Sequence, residues 1–541
     1  MPNERTSVLV VGGGLTGLSS AVFLAWHGVP CIVVERHPDL LIHPRLRAVL
    51  PRTVELFRQV GLEPAIQAAT FSDGGRSAWA PVRAETLASE DYTAVEEISE
   101  AGSLVGASPS PFGAIDQDKL ELLLLDRARE LGAEVRFATE LTLFEQDADG
   151  VDAVLEDRPS GAQHAVQATY LIAADGDASH VRHQLGVEVD GPGALSHQVT
   201  AVVEADLREA LRGRHVSIAY LQQPQPFTVL LAHDSVGLSW AFGTRFSPEH
   251  ESIDDYGDER VADMIRAAAG LPDAEITLRP QIPGTNRKVL GFTIGAQVAR
   301  EYRAGRVFLV GDAAHVVPPT GGLGGNTGIQ DTHNLAWKLA AVLRGDAGPS
   351  LLDTYHTERH PIGVFTMRQA LARFGARMGY NETVEPLVDF TAVAYGYQYR
   401  SAAVVGAGDD VTPLMPSELT GQPGTRAPHI TVVHGSREIS TIDLYGKRFV
   451  LLAGSDANAW TAAAERVAGK LAVPLDTYRF GIELSGGDAV GAHGIGSEGA
   501  LLVRPDGFVG WRSPHAAAEP AVELERALRS ILAREQFEPV A

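Results

Sequence analysis

The sequence predicts an α/β fold, a parallel sheet wound by helices with further sheet-forming regions attached. Three stretches predict it, each an apolar strand that ends in a glycine-bearing turn and runs into a helix. They are SVLVVGGGLTGLSSAVFLAWHGVPCIVVER (7–36), TYLIAADGDASHVRHQLG (169–186) and RVFLVGDAAHVVPPTGGLGGNTGIQD (306–331). At 541 residues and 45% apolar composition the chain is expected to be globular and to divide into two or three domains.

In the first stretch the strand Ser7–Val11 leads into Gly12, Gly14 and Gly17, then a helix with apolar residues at helical spacing. Gly28 stops the helix, and a second strand ends on Glu35. Gly12 permits the tight turn, Gly14 lets backbone approach a pyrophosphate at the helix N-terminus, and Gly17 lets helix and strand pack closely. Leu15 and Thr16 open that helix and are counted with the cofactor-binding residues. Glu35, followed by Arg36, is placed to accept hydrogen bonds from an adenosine ribose. Glycine-rich turns are common, but the strand before this one and the acid about 20 residues on point to a dinucleotide. The motif alone does not separate NAD from FAD.

The second stretch ends its strand on Asp175-Gly176, with Ser179 as N-cap of a short helix that carries Arg182. Alone, it reads as a plain turn. The third stretch follows a strand at Arg306–Val310 and precedes an amphipathic helix expected over Thr327–Leu343. Asp312, beside Gly311, is an acceptor at a strand's C-terminal edge, where open parallel sheets bind ligands, and it suits a polyol chain. Pro318 and Pro319 fix the path. Gly321, Gly322, Gly324 and Gly325, with Asn326 after them, permit close backbone contact with a flat ring. A helix N-terminus aimed at that ring would favour a reduced flavin anion. His315 reads as a loop histidine.

Together these motifs, with HPRLRAVLPRTVELFRQVGL (43–62), QDKLELLLLDRARELGA (117–133) and NLAWKLAAVLRG (334–345), resemble the single-component flavin-dependent aromatic hydroxylases. Within them the layout is similar to the phenol hydroxylase branch and its bacterial aromatic polyketide hydroxylases, of which the aklavinone and angucycline hydroxylases are examples. The resemblance implies a Rossmann-like FAD-binding domain of the p-hydroxybenzoate hydroxylase type, a β-sheet substrate domain and a C-terminal thioredoxin-like domain. It assigns Glu35 to the adenosine ribose, Gln117 to the ribityl region and Arg45 to the pyrophosphate and the moving flavin. Asp312 goes to the ribityl hydroxyls, and Asp175-Gly176 to both FAD and the nicotinamide cofactor. It further implies non-covalent FAD, NADPH or NADH as a transient reductant, molecular oxygen as co-substrate, and hydroxylation of a phenolic polycyclic aromatic through a flavin C4a-hydroperoxide. Baeyer-Villiger insertion, oxidation without oxygen transfer, and sequestration of an aromatic antibiotic stay open.

The FAD-binding domain is expected over residues 1–180 and 281–400, and the substrate sheet over 181–280. In the latter, VSIAYLQQ (216–223), FTVLLAH (227–233) and GLSWAFGTRF (237–246) read as strands. Tyr220, Phe227, Trp240 and Phe242 are pocket candidates that double as ordinary core. Tyr220 is singled out because a phenol both stacks and donates a hydrogen bond. The helix after YHTERH (355–360) carries Arg368, Arg373 and Arg377. The resemblance puts it beside the substrate cavity, so Arg373 or Arg377 is a candidate to hold a phenolate, as a cation and not as a base. Residues 405–541, which open on a Pro- and Gly-rich linker, resemble the thioredoxin-like domain of the phenol hydroxylase branch. It has no cysteine and hence no CxxC.

Composition narrows the partners. Against 45 Lys and Arg stand 68 Asp and Glu, a net charge of −23, which opposes nucleic acid and anionic membranes. No membrane-length apolar run or secretion signal is read, so the cytoplasm is expected. Cys31 is the only cysteine, which excludes a disulfide, and no histidine grouping suggests a metal site. A small aromatic molecule is the expected partner, and a homodimer is one assembly open to the chain.

Overall fold

The computed structural model describes residues 4–40, 46–70, 81–95, 106–234, 236–282, 284–378 and 385–534. Its first sheet is built on parallel strands in the order Val307–Leu309, Ala162–Ala173, Glu4–Val11, Cys31–Val34 and Glu134–Arg136. An antiparallel extension, Thr139–Gln146 with Val151–Asp157, pairs to the outer part of Ala162–Ala173. Val8, Leu9 and Val10 are fully buried, as are Phe308 and Val310, so both faces of the parallel sheet are covered. The helix Leu15–Trp26 packs on one side against Gln117–Glu130 and on the other against the long helix Leu323–Leu343.

The second sheet has nine strands. Its order is His315–Val316, Val289–Ala299, Val189–Glu204, Ser239–Phe246, Thr228–Ala232, Ile218–Leu221, Pro81–Ala84 and Thr93–Ala94, with Thr277–Arg279 beside Val189–Glu204. It therefore draws strands from well outside 181–280. Strand pairing joins elements far apart in sequence, and the short strands Pro81–Ala84, Thr93–Ala94 and His315–Val316 carry no apolar run of the kind that revealed the central strands. One face of this sheet is packed by the helix Asp258–Ala269 over Trp240, Phe242, Val199 and Val203.

Beyond residue 420 a three-stranded sheet and a four-stranded sheet follow. In the latter Leu475–Arg479 pairs parallel with Phe449–Ala453, and Ala500–Val503 and Val509–Ser513 continue antiparallel. The helices Asn458–Leu471 and Pro520–Ile531 cover it. Its apolar core takes in Trp337, Ala341 and Leu351, so the C-terminal region and the long helix share one core.

Candidate active site

Because the strands Glu4–Val11, Cys31–Val34, Ala162–Ala173 and Val307–Leu309 run parallel, the turns after them emerge at one edge of the sheet. Gly12–Gly14, Glu35, Asp175-Gly176 and Gly311-Asp312 thereby meet, although up to 300 residues separate them. The approach is close enough to exclude side chains. Gly12 has φ +105°, and a Cβ there would lie 2.2 Å from the Ala174 carbonyl oxygen; at Gly17 it would lie 1.8 Å from the Gly12 oxygen. At Gly311, with φ +57°, a Cβ would lie 2.5 Å from Thr16 Oγ1. Gly14 by contrast faces open space, its nearest neighbour being Glu121 Oε1 at 3.7 Å.

The polar groups of this edge are held in place. Glu35 Oε2 accepts from the Gly13 N–H at 2.7 Å, and Oε1 accepts from the His37 N–H at 2.9 Å. Burial pushes the Glu35 carboxyl up, but His37 and the Gly13 amide outweigh it and hold it below the usual range. Asp175 accepts from Ser179 Oγ at 2.6 Å and from the Val181 N–H at 3.1 Å, while Ser179 caps the short helix through the Arg182 N–H. Arg182 donates to Ala313 O and Asp177 O, both at 2.8 Å, and so ties the second motif to the third. Asp312 is exposed at the end of a buried strand, and Arg36 is exposed beside Glu35.

These residues fit a flavin dinucleotide. The helix Leu15–Trp26 has neither a side-chain cap nor an acid in its first turn, which leaves its amide N–H groups to an anion. Carboxylates stand at two strand ends for hydroxyl-rich segments, and the buried Nε of Arg182 has no hydrogen-bond partner.

Several sequence expectations move. The long helix begins at Leu323, four residues before the expected Thr327, so Gly324 and Gly325 lie in its first turn rather than in a loop. The reason is packing. A Cβ at Gly324 would lie 2.9 Å from Val317 Cγ2, at Gly325 2.8 Å from Leu46 Cδ1, and at Gly328 3.0 Å from Gly311 Cα. Gly322 caps this helix with φ +64°. Asn326 is buried and spends its amide on backbone, donating to Ala48 O and Gly322 O and accepting from the Leu50 N–H. Gln117 accepts from the Leu46 N–H at 3.1 Å and donates to Glu121. Pro319 is exposed and Pro318 buried. Arg45 lies outside the described residues.

The second sheet sorts the aromatic candidates by alternation. Trp240 and Phe242 point to the covered core face and are fully buried, so neither lines a pocket. Tyr220, paired with Val229 and Arg83, lies on the opposite face, where it accepts a hydrogen bond from Arg377 Nη1 at 3.2 Å. Arg377 sits on the helix Asp353–Met378. Arg373, one turn earlier, donates to Gln369 Oε1 at 2.8 Å and Val388 O at 2.6 Å, which ties the helix to the segment before Phe390. Arg368 pairs with Glu385 at 3.2 Å. Phe227 has φ +70°, a costly conformation for an aromatic residue, and it borders a cavity of about 240 Å³ with Gln198, Arg245, Leu371 and Phe374.

Two buried ionic groups were not read from the sequence. His315, expected as a loop histidine, is fully buried, with Nε2 2.7 Å from Asp331 Oδ2. Asp331 also accepts from Arg359 Nε at 2.7 Å and from the Gly311 N–H at 3.3 Å. Asp116 is fully buried at the start of the helix Gln117–Glu130, between Arg47 Nε at 2.8 Å and His233 Nδ1 at 2.9 Å. The sequence signal for the first group was a run of polar residues, Gln330 to Asn334, midway along a helix whose second half is largely apolar. The second joins residues from three distant segments and left no local signal. Among the described residues, Asp116, Asp118 and His233 are the one trio with atoms close enough for a shared cation, and Arg47 already supplies the positive charge there. His356 and His360 do stand one turn apart, a spacing passed over in the sequence, with rings 4.8 Å apart.

Comparison with known proteins agrees with this architecture. A family model described as an FAD binding domain matches residues 5–370, and one described as aromatic-ring hydroxylase, C-terminal, matches residues 420–534. A tetracenomycin B2 monooxygenase-dioxygenase of Streptomyces olivaceus is 44% identical, covering 99% of this chain and 100% of the relative. A tetracenomycin A2 monooxygenase-dioxygenase of Streptomyces glaucescens is 41% identical over 100% of this chain and 99% of its own length. The crystal structure of aklavinone-11 hydroxylase with FAD and aklavinone superposes with a TM-score of 0.91 at 37% identity, covering 99% of this chain and 100% of that one. No helix among the described residues is long and apolar enough to cross a membrane. The converging glycine turns, the second sheet beside them and these full-length similarities establish that the chain belongs to the FAD-binding aromatic-ring hydroxylases and is an FAD-dependent monooxygenase.

Proposed function

We propose that the protein hydroxylates a phenolic polycyclic aromatic of the polyketide type, consuming NADPH or NADH. The observation that carries this reading is the Tyr220–Arg377 hydrogen bond, on the face of the second sheet left open by the helix Asp258–Ala269. When bound, FAD supplies electron transfer from the nicotinamide and activation of dioxygen. The chain's own task is to hold the substrate ring and favour its phenolate. Arg377 brings a guanidinium, and a fixed cation lowers the cost of a nearby phenolate. Since Tyr220 accepts from Arg377, its own O–H is the donor left for a substrate oxygen. On this reading Gly12, Gly14, Leu15, Thr16, Gly17 and Glu35 hold the adenosine end of the cofactor, and Asp312 with the Pro319–Asn326 segment holds the flavin end. The flavin unit spans 1–180 and 281–400, the substrate sheet is centred on 181–280, and 405–541 is thioredoxin-like. The relatives' activities on tetracenomycins support a polyketide substrate, and the cytoplasm is the compartment proposed.

The test is turnover of a tetracyclic polyketide phenol with NADPH under ¹⁸O₂. Product carrying label from dioxygen on a ring carbon is expected, and product without label overturns the reading. A lactone product would point to Baeyer-Villiger insertion. Tyr220→Phe is expected to lower kcat for hydroxylation by about 10²-fold, as for other positioned proton donors, with FAD content unchanged on the 450 nm absorbance.

A further inference from the structure

The long helix Leu323–Leu343 carries Thr327, Asp331, Asn334 and Lys338 on one stripe, and all four are buried. Every one meets a partner from another element. Arg359 donates to Thr327 O at 3.1 Å and to Asp331, and Asn334 donates to Glu358 Oε2 at 2.8 Å. Lys338 Nζ donates to the same oxygen at 2.8 Å. Glu358 is then gripped from the C-terminal region by Arg504, at 2.6 and 2.9 Å, and Arg504 is itself paired with Asp506. Ser401 Oγ adds a bond to Glu358 Oε1 at 2.6 Å.

The seam is balanced, with Asp331, Glu358 and Asp506 against Lys338, Arg359 and Arg504, and all six are nearly or completely inaccessible to water. Glu358 and Arg359 are adjacent on the helix Asp353–Met378. Whatever fixes the first therefore fixes where the second sits. Arg359 holds Asp331, and Asp331 receives the N–H of Gly311, the turn that presents Asp312. A continuous polar path thus runs from residue 504 to the flavin end of the sheet. Shifting or removing one member leaves its partner's charge buried and unpaired, which couples the groups to one another.

We propose that Arg504 is a positioning residue for the flavin site, acting through Glu358, Arg359 and Asp331 on the Gly311-Asp312 turn, so that the C-terminal region is part of that site. This rests on the reading that FAD is held at that turn. The experiment compares Arg504→Lys with Leu528→Ala, the latter removing a fully buried apolar side chain from the C-terminal core and none of the seam's polar contacts. Both full-length proteins are titrated with FAD, following flavin fluorescence and the visible spectrum, and their Tm is recorded. Arg504→Lys keeps the charge but not the two-pronged grip. It is expected to weaken FAD roughly two- to thirty-fold, the range of couplings carried through such networks, and to alter the bound flavin's spectrum. Leu528→Ala is expected to lower Tm at least as far and leave FAD affinity within about twofold of the parent. Parent-like affinity and spectrum in Arg504→Lys, or equal loss of FAD in both variants, overturns the proposal. A parent protein that takes up no FAD overturns the functional reading along with it.

Discussion

Replacing Gly17 with alanine is expected to yield a protein that purifies without its yellow colour. A methyl group there would lie 1.8 Å from the Gly12 carbonyl oxygen, more than 1 Å inside any tolerable contact. Gly12 has no room to retreat, since it is fixed at φ +105° with Ala174 O behind it. The helix Leu15–Trp26 must therefore move off the sheet and carry its N-terminal N–H groups away from the position proposed for the cofactor's pyrophosphate. Overpacking of this kind costs about 1–3 kcal/mol of stability, and a misplacement of about 1 Å at a binding site costs about 10²-fold in function. The control is Gly28→Ala, at φ +77° with nothing within 4 Å of the added methyl. It pays only the left-handed backbone penalty of about 1–2 kcal/mol and should stay yellow. Parent-like FAD content in Gly17→Ala would show that helix and strand are not packed as described.

Arg359→Met is expected to be the most destabilising substitution in the long-helix seam, by about 3–5 kcal/mol at pH 7, because it strands a buried carboxylate. Arg359 is fully buried and donates to Asp331, to Thr327 O and to the Tyr399 hydroxyl at 3.1 Å. In the parent, burial raises the Asp331 carboxyl, while Arg359 and His315 together outweigh burial and hold it below the usual range. A carboxylate whose folded value lies below its unfolded value of about 4 stabilises fully above that pH, and its contribution drains away as pH falls through the folded value. Without Arg359, burial dominates and the folded value rises, so the sign reverses and protonation relieves the variant. The gap between the urea midpoints of parent and variant should therefore narrow from pH 7 to pH 4.5. A gap that widens over that interval would show that Arg359 does not compensate Asp331.

The glycine turns were legible because their chemistry is local: a positive φ or a close backbone approach must be written as glycine at a set offset from an apolar strand. Gly12, Gly17, Gly311 and the Ser179 cap all show this. The aromatic face of the second sheet was only half legible. Period-two alternation shows that Tyr220 differs from Trp240 and Phe242 in direction only once register is known, and register depends on pairing with Val189–Glu204 and Pro81–Ala84. His315 shows the opposite failure, because polarity and a neighbouring Asp-containing turn suggest solvent where the fold supplies Asp331.

By itself the sequence determined the α/β class, the glycine turns and the family resemblance, since each motif behind them is read within a run of about 30 residues. Only the tertiary structure decided which side of the second sheet the helix Asp258–Ala269 covers, that the long helix starts at Leu323, and that Arg504 reaches Glu358. Those outcomes depend on which distant groups share one low-dielectric interior. There a charge takes its partner from wherever the fold brings it, at a separation in sequence that no local pattern encodes.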